Sequence, residues 1–163
     1  MNEHEFMKAY DAYANALVRH CYFRVYDKEL AKDLVQDAFT RTWEYAAKGK
    51  KIENLRAFLY RILHNLIVDE FRKKKALSLD ELKERGVDIT AHEKLSPENL
   101  SDLKNIILRF ASLPPKYREV AMMRYIDDLT PKEIAEATGE SENNISVRIN
   151  RATVQLRALI KTP

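Results

Sequence analysis

With 163 residues and a single cysteine, Cys21, the chain has room for one ordinary domain or two small ones and cannot close an internal disulfide, which fits a reducing compartment. Its 28 basic and 25 acidic side chains leave a net charge of +3, too little by itself to argue for nucleic acid, and only three glycines favour an almost wholly helical fold. No apolar run approaches a membrane span, and the opening MNEHEFMKAY is too acidic for a signal peptide, so a cytoplasmic protein without membrane insertion is expected.

Helical periodicity predicts a first helix from about residue 3 to about residue 25, with Phe6, Tyr10, Tyr13, Leu17 and Cys21 on its inner face. A second begins after Asp27 and runs to about Ala47. Leu34, Ala38, Phe39 and Trp43 form its apolar side, and Asp33, Gln36, Asp37, Thr40 and Glu44 a polar stripe that either faces solvent or meets a basic partner. A loop containing AKGKK leads to a third helix capped by Asn54, whose Phe58, Leu59, Ile62, Leu66 and Phe71 can close a three-helix core.

Charge changes sharply along this module. Residues 48–75 carry nine basic and three acidic side chains, a block of +6, whereas residues 1–47 carry six and eight. On the third helix, Phe58, Tyr60 and His64 offer stacking surfaces, Arg61, Arg72 and Lys73 phosphate contacts, and Asn65 a partner for a base edge. That combination suits a single strand better than a duplex. The plainer alternative is a solvated helix with Phe58 in the core and Asp69 paired to Arg72 or Lys73.

Residues 76–101 reverse the sign, with six acids against three basic residues, and with Gly86 and Pro97 they read as a linker. Ser96 and Pro97 then open a helix to about Ser112, and Pro114 and Pro115 start another to about Tyr125. Next, Thr130, Pro131 and Glu133 spell a capping box, Ile134, Ala135 and Thr138 an inner face, Gly139 a left-handed stop and Ser141 a new cap. Ile145, Ile149, Ala152, Leu156 and Leu159 recur at helical spacing, which leaves Asn144, Ser146, Val147, Arg148, Asn150 and Arg151 outward. Two helices joined by one tight turn make a helix-turn-helix, whose second helix can lie in a major groove. An ordinary helical hairpin shares the spacing.

Four segments together resemble one family. AKDLVQDAFTRTWE, the run Arg61, Ile62, Asn65, Asp69, Arg72 within AFLYRILHNLIVDEFRKKK, the SLDE that follows, and LPPKYREVAMMRYIDDLTPKEIAEATG with NNISVRINRA occur in the order and spacing of bacterial sigma factors of the extracytoplasmic-function group. The resemblance spans about residues 5 to 160. It implies an all-α chain of two small helical modules: a three-helix region 2 (residues 1–75), an acidic linker (76–97) and a four-helix region 4 ending in the helix-turn-helix (98–163). It also implies an initiation subunit that binds bacterial core RNA polymerase and promoter DNA, answers to an anti-sigma factor, and has neither cofactor nor catalytic chemistry.

By the same resemblance, Asp33, Gln36, Asp37 and Thr40 dock on the polymerase. The loop from Ala46 to Glu53 holds an extruded base of the −10 strand, and Lys50, Lys51, Tyr60, Arg61, Asn65, Arg72 and Lys73 line that strand or its phosphates. Lys132, Asn143, Asn144, Ser146, Arg148, Asn150 and Arg151 face the −35 duplex. One departure stands out: GESENNIS is more polar than many relatives, lacks their basic residue near Ser146, and brings Glu140 and Glu142, which suit the helix dipole but repel phosphate.

Two other functions compete on residues alone. A stand-alone helix-turn-helix regulator with an N-terminal sensing or dimerisation module accounts for the C-terminal half, but not for the acidic stripe, basic-aromatic helix and acidic linker in that order. An enzyme fits poorly, because the four histidines are scattered, His20 beside Cys21 lacks further zinc ligands, and no glycine-rich phosphate loop is present.

Overall fold

The computed structural model describes residues 1–82, 106 and 108–161. The chain divides into two compact units, Met1–Leu95 and Ser96–Pro163, and every regular element among the described residues is a helix.

Three helices, α1 (Glu3–Val25), α2 (Lys28–Ala47) and α3 (Leu55–Leu82), build the first unit, each packed on the other two. Local chemistry sets their ends. Asn2 and Glu5 form a capping box at the start of α1, each side chain accepting the other's backbone N–H at 2.9 Å. Tyr26 turns the chain in a left-handed conformation (φ 54°), and Asp27 Oδ1 accepts the Leu30 N–H to open α2. Asn54 caps α3 through the Ala57 N–H at 3.0 Å. The backbone of α3 runs to Leu82, past the point where acidic composition suggests a linker; the rest of that stretch lies outside the described residues.

The core of this unit sits lower on α3 than periodicity alone suggests. Leu17 and Cys21 of α1, Val35, Ala38 and Phe39 of α2, and Ala57, Leu59, Leu63, Leu66 and Ile67 of α3 are buried. Phe71 is 47% exposed and Trp43 37%, so these two do not close the core. Phe71 lies a turn beyond Ile67, the last buried position among the described side chains of α3, while Trp43 sits at the rim with one edge against Phe6, 5.0 Å away. Tyr60, expected as a stacking surface, is 1% exposed and meets the buried His20 edge to face at 4.9 Å. It shares a face with Leu63 and Ile67, three and seven residues on, and so belongs to the interior.

The second unit begins, among the described residues, with helical positions 106 and 108–111 and continues through α4 (Pro115–Tyr125), α5 (Pro131–Thr138) and α6 (Glu142–Lys161). Pro115 occupies the first helical position of α4, and Arg118 donates to the carbonyls of Ala111 and Leu113 at 2.8 and 3.0 Å, tying α4 to the preceding turn. Thr130 and Glu133 complete the capping box of α5. Gly139 ends it with φ 75°, donating to the Ala135 carbonyl, and Ser141 Oγ accepts the Asn144 N–H at 3.2 Å to start α6. Ile134 and Ala137 of α5, Val120 and Met123 of α4, and Ile145, Ile149 and Ala152 of α6 share one apolar centre. Leu159, at 36% exposure, lies outside it.

A Cβ built on Gly139 meets no atom within 4 Å, so only the positive φ resists substitution. Gly139→Ala is expected to destabilise the protein by about 1–2 kcal/mol, and Gly139→Asn by less, measured by urea unfolding followed by circular dichroism.

Candidate nucleic-acid interface

On α3 the outward residues fall into one stripe. Arg61, Asn65, Asp69 and Arg72 follow at spacings of four, four and three, opposite the buried Leu59, Leu63 and Leu66, and all four are exposed, as is Lys73. Arg72 stands 4.0 Å from Asp69, a fully hydrated pair that costs little to open. The stripe therefore presents cations and one amide without an aromatic of its own.

Aromatic surface is supplied one element earlier. The rings of Tyr45, in the last turn of α2, and Phe58, in the first turns of α3, lie 4.8 Å apart, and the Lys50 ammonium sits 5.0 Å from the Tyr45 centroid. Lys50 and Lys51, with Met1, Glu5, Ala46, Ile52 and Leu55, line a cleft of about 300 Å³ beside this pair. Sequence alone does not single out Tyr45, because its contact with Lys50 depends on the loop folding back over it; an aromatic one turn before a lysine-rich loop is the available signal.

The polar stripe of α2 is also on one face. Asp33, Gln36 and Thr40 are exposed, and Asp37 is half-buried with its carboxylate 3.2 Å from Arg41. Thr40 donates its hydroxyl to the Gln36 carbonyl at 3.0 Å. Of the two aspartates Asp33 is the more open to a basic partner, whereas Asp37 shares its charge with Arg41.

In the helix-turn-helix, burial of Ile145, Ile149 and Ala152 turns the opposite side of α6 outward. Asn143, Asn144, Asn150 and Arg151 are exposed, Ser146 and Arg148 half-buried, and Lys132 is exposed at the start of α5. The two arginines differ in their surroundings. Arg148 Nη2 lies 2.5 Å from Glu140 Oε2, across the turn. Arg151 shares a cleft with Tyr117 of α4, and the Lys116 ammonium stands 4.9 Å from the Tyr117 ring centroid. Tyr117, Asn150, Arg151, Val154 and Gln155 line a shallow cleft of about 300 Å³. Tyr117 was missed from sequence because its partner sits on another helix.

Among the described residues no three His, Cys, Asp or Glu side chains gather to hold a metal ion, and no helix is long and apolar enough to cross a membrane.

Both units have known relatives. Residues 9–77 match the family described as Sigma-70 region 2, and residues 103–156 the family described as Sigma-70, region 4. The chain belongs to the sigma-70 family of RNA polymerase sigma factors, within its extracytoplasmic-function group. It is 27% identical over 161 residues to the ECF RNA polymerase sigma factor SigW of Bacillus subtilis (strain 168), covering 93% of this chain and 86% of that protein. To the ECF RNA polymerase sigma factor SigM of the same strain it is 27% identical over 152 residues, covering 92% and 91%.

Among solved structures, the sigma factor RpoE, in complex with the anti-sigma factor NepR from Bartonella quintana, shares the fold. Its TM-score is 0.78 at 24% identity, over 97% of this chain and 98% of that one. CnrH in complex with the cytosolic domain of CnrY gives 0.68 at 23%, over 98% and 89%. The stand-alone regulator is not favoured, because the N-terminal unit is itself matched as a sigma region.

Arg151 stabilises the Tyr117 phenolate by hydrogen bonding, which outweighs the small effect of burial, and Lys116 adds to it, so the phenol titrates below its ordinary value of 10. Arg151→Ala is expected to move that titration back upward. Ultraviolet absorbance titration of the variant, with Tyr117→Phe to isolate this phenol from the other seven tyrosines, checks it.

Proposed function

We propose that the two units divide promoter recognition between a melted strand and a duplex. In this reading residues 1–75 are the polymerase- and −10-binding module, residues 98–163 the −35-binding module, and the acidic stretch 76–97 joins them, opening on the end of α3. The observation that carries it is the Arg61, Asn65, Arg72 stripe, which stands outside the core on the helix whose first turn helps to line the Lys50, Lys51 cleft.

Asp33, Gln36, Asp37 and Thr40 meet a basic surface of core polymerase, with Asp33 contributing most because Asp37 is already engaged by Arg41. The loop from Ala46 to Glu53 receives an extruded base. Unstacking a base costs a few kcal/mol, and stacking on an aromatic returns about 1–3 kcal/mol. The Tyr45 and Phe58 rings with Lys50, rather than the buried Tyr60, supply that surface. Arg61 and Asn65 contact the strand, and Arg72 and Lys73 the phosphates upstream.

In the second module Asn143, Asn144, Ser146, Arg148, Asn150 and Arg151 face the −35 groove, with Lys132 on its backbone. The protein acts in the cytoplasm and performs no catalysis of its own. An anti-sigma factor is its further partner, a reading supported by the likeness to RpoE, which is solved with the anti-sigma factor NepR.

Reconstitution with bacterial core polymerase tests the division. Asp33→Lys is expected to weaken core binding at least several-fold with the helical circular dichroism unchanged. Asn65→Ala is expected to leave core binding intact and to slow promoter opening, read by permanganate reactivity of unpaired thymines. Unaltered core affinity in the first variant, or loss of it in the second, overturns the assignment.

A further inference from the structure

The ion pair between Glu140 and Arg148 spans the turn of the helix-turn-helix. Glu140 follows Gly139, and its N–H donates to the Ala135 carbonyl at 3.2 Å, which fixes where its side chain leaves the turn. Its carboxylate then reaches Arg148 Nη2 at 2.5 Å as an ion pair rather than an aligned hydrogen bond, and the two side chains are only 33% and 29% exposed. Sheltering from water strengthens such a pair beyond the ordinary surface value. Arg151, three residues on, instead shares a cleft with Tyr117, whose ring carries Lys116.

The two guanidiniums on this face are therefore chemically unequal. One forms a locally neutral pair, and the other remains cationic. A neutral pair has little to offer a phosphate, whose attraction is electrostatic and independent of sequence. It retains directional donors, however. A guanidinium carries five N–H groups, and engagement through Nη2 leaves others for the O6 and N7 acceptors of a guanine edge.

We propose that Glu140 is a specificity-determining residue of the −35 contact. By neutralising Arg148 and holding it through one amino group, it withdraws this arginine from the phosphate backbone and keeps it for a base edge. Glu140 thereby lowers affinity for arbitrary duplex while preserving discrimination. This inference rests on the proposal that α6 reads the −35 duplex. Its role is positioning: Glu140 acts through Arg148 and touches no base itself.

The test uses the full chain assembled with bacterial core polymerase, a promoter library randomised across the −35 element, and a non-promoter duplex of equal length over a salt series. Glu140→Gln keeps the side chain's shape and removes its charge. It is expected to tighten non-promoter binding about three- to tenfold and to steepen the logarithmic salt dependence by about 0.9, the value for one added phosphate contact. Preference at one −35 position should fall about fivefold or more. Glu140→Ala should move all three readouts the same way. In an Arg148→Ala background neither change should appear, because the arginine through which Glu140 acts is gone.

If Arg148→Ala relaxes the base preference while Glu140→Gln leaves slope and preference as in the parent, the inference fails and the −35 reading stands. An equal gain in non-promoter binding with and without Arg148 also overturns it, by making Glu140 a bare repulsive charge. If alanine at Asn144, Arg148 and Arg151 each leaves the selected sequences unchanged, the −35 reading itself is lost, and this inference with it.

Discussion

Burial of Ile145, Ile149 and Ala152 against α4 and α5 fixes the rotation of α6, and the chemistry of the second unit depends on that rotation. Each large side chain among them contributes about 1.5–3 kcal/mol by leaving water, enough to hold one face inward against the pull of solvent on either side. Because the helix repeats every 3.6 residues, three buried positions decide where every polar residue points. The turn before it adds the second constraint. Gly139 stops α5, Ser141 starts α6, and the two helices then have one angle between them. The first unit obeys the same logic on α3, where Leu59, Leu63 and Leu66 go inward and Arg61, Asn65 and Arg72 go out.

Charge on these faces is managed locally. Asp37 is tied to Arg41, Asp69 faces Arg72, and Glu140 holds Arg148, so several residues of functional interest are half of a pair. The pairs differ in what they cost to break. Those on α2 and α3 are hydrated and within one helix, worth a few tenths of a kcal/mol, whereas the pair across the turn joins two elements and is sheltered. A net charge of +3 is compatible with nucleic-acid binding for this reason: polymerase contributes affinity in the proposed complex, and the paired side chains contribute choice.

Helix ends were the most legible part of the chain. Asp27, Asn54, Thr130, Gly139 and Ser141 each act on groups within about four residues, so a sequence window contains both the cap and what it caps. The family resemblance was legible for a similar reason, since its motifs are contiguous. Core membership was less so. Periodicity names a face but not where the neighbouring helix ends, which is why it puts Trp43 and Phe71 inside and passes over Leu63 and Ile67. Tyr60 was misassigned because an aromatic among arginines reads as a base platform, although its spacing to Leu63 marked it as interior. The Tyr117–Arg151 and Glu140–Arg148 contacts join residues on different elements and leave no mark in sequence order.

The ring contact between Tyr45 and Phe58 gives α2 a second duty. One end of that helix bears Asp33 and its neighbours, and the other bears an aromatic clamped to the start of α3, with Lys50 laid over it. A force applied at the acidic end travels along a continuous helix and arrives at the lysine loop without crossing a hinge. The proposed strand-binding cleft is thus splinted to the proposed docking surface. A sigma factor seated squarely on its polymerase would have its cleft aimed by the same act, and one seated askew would carry the error straight to the base it is meant to hold.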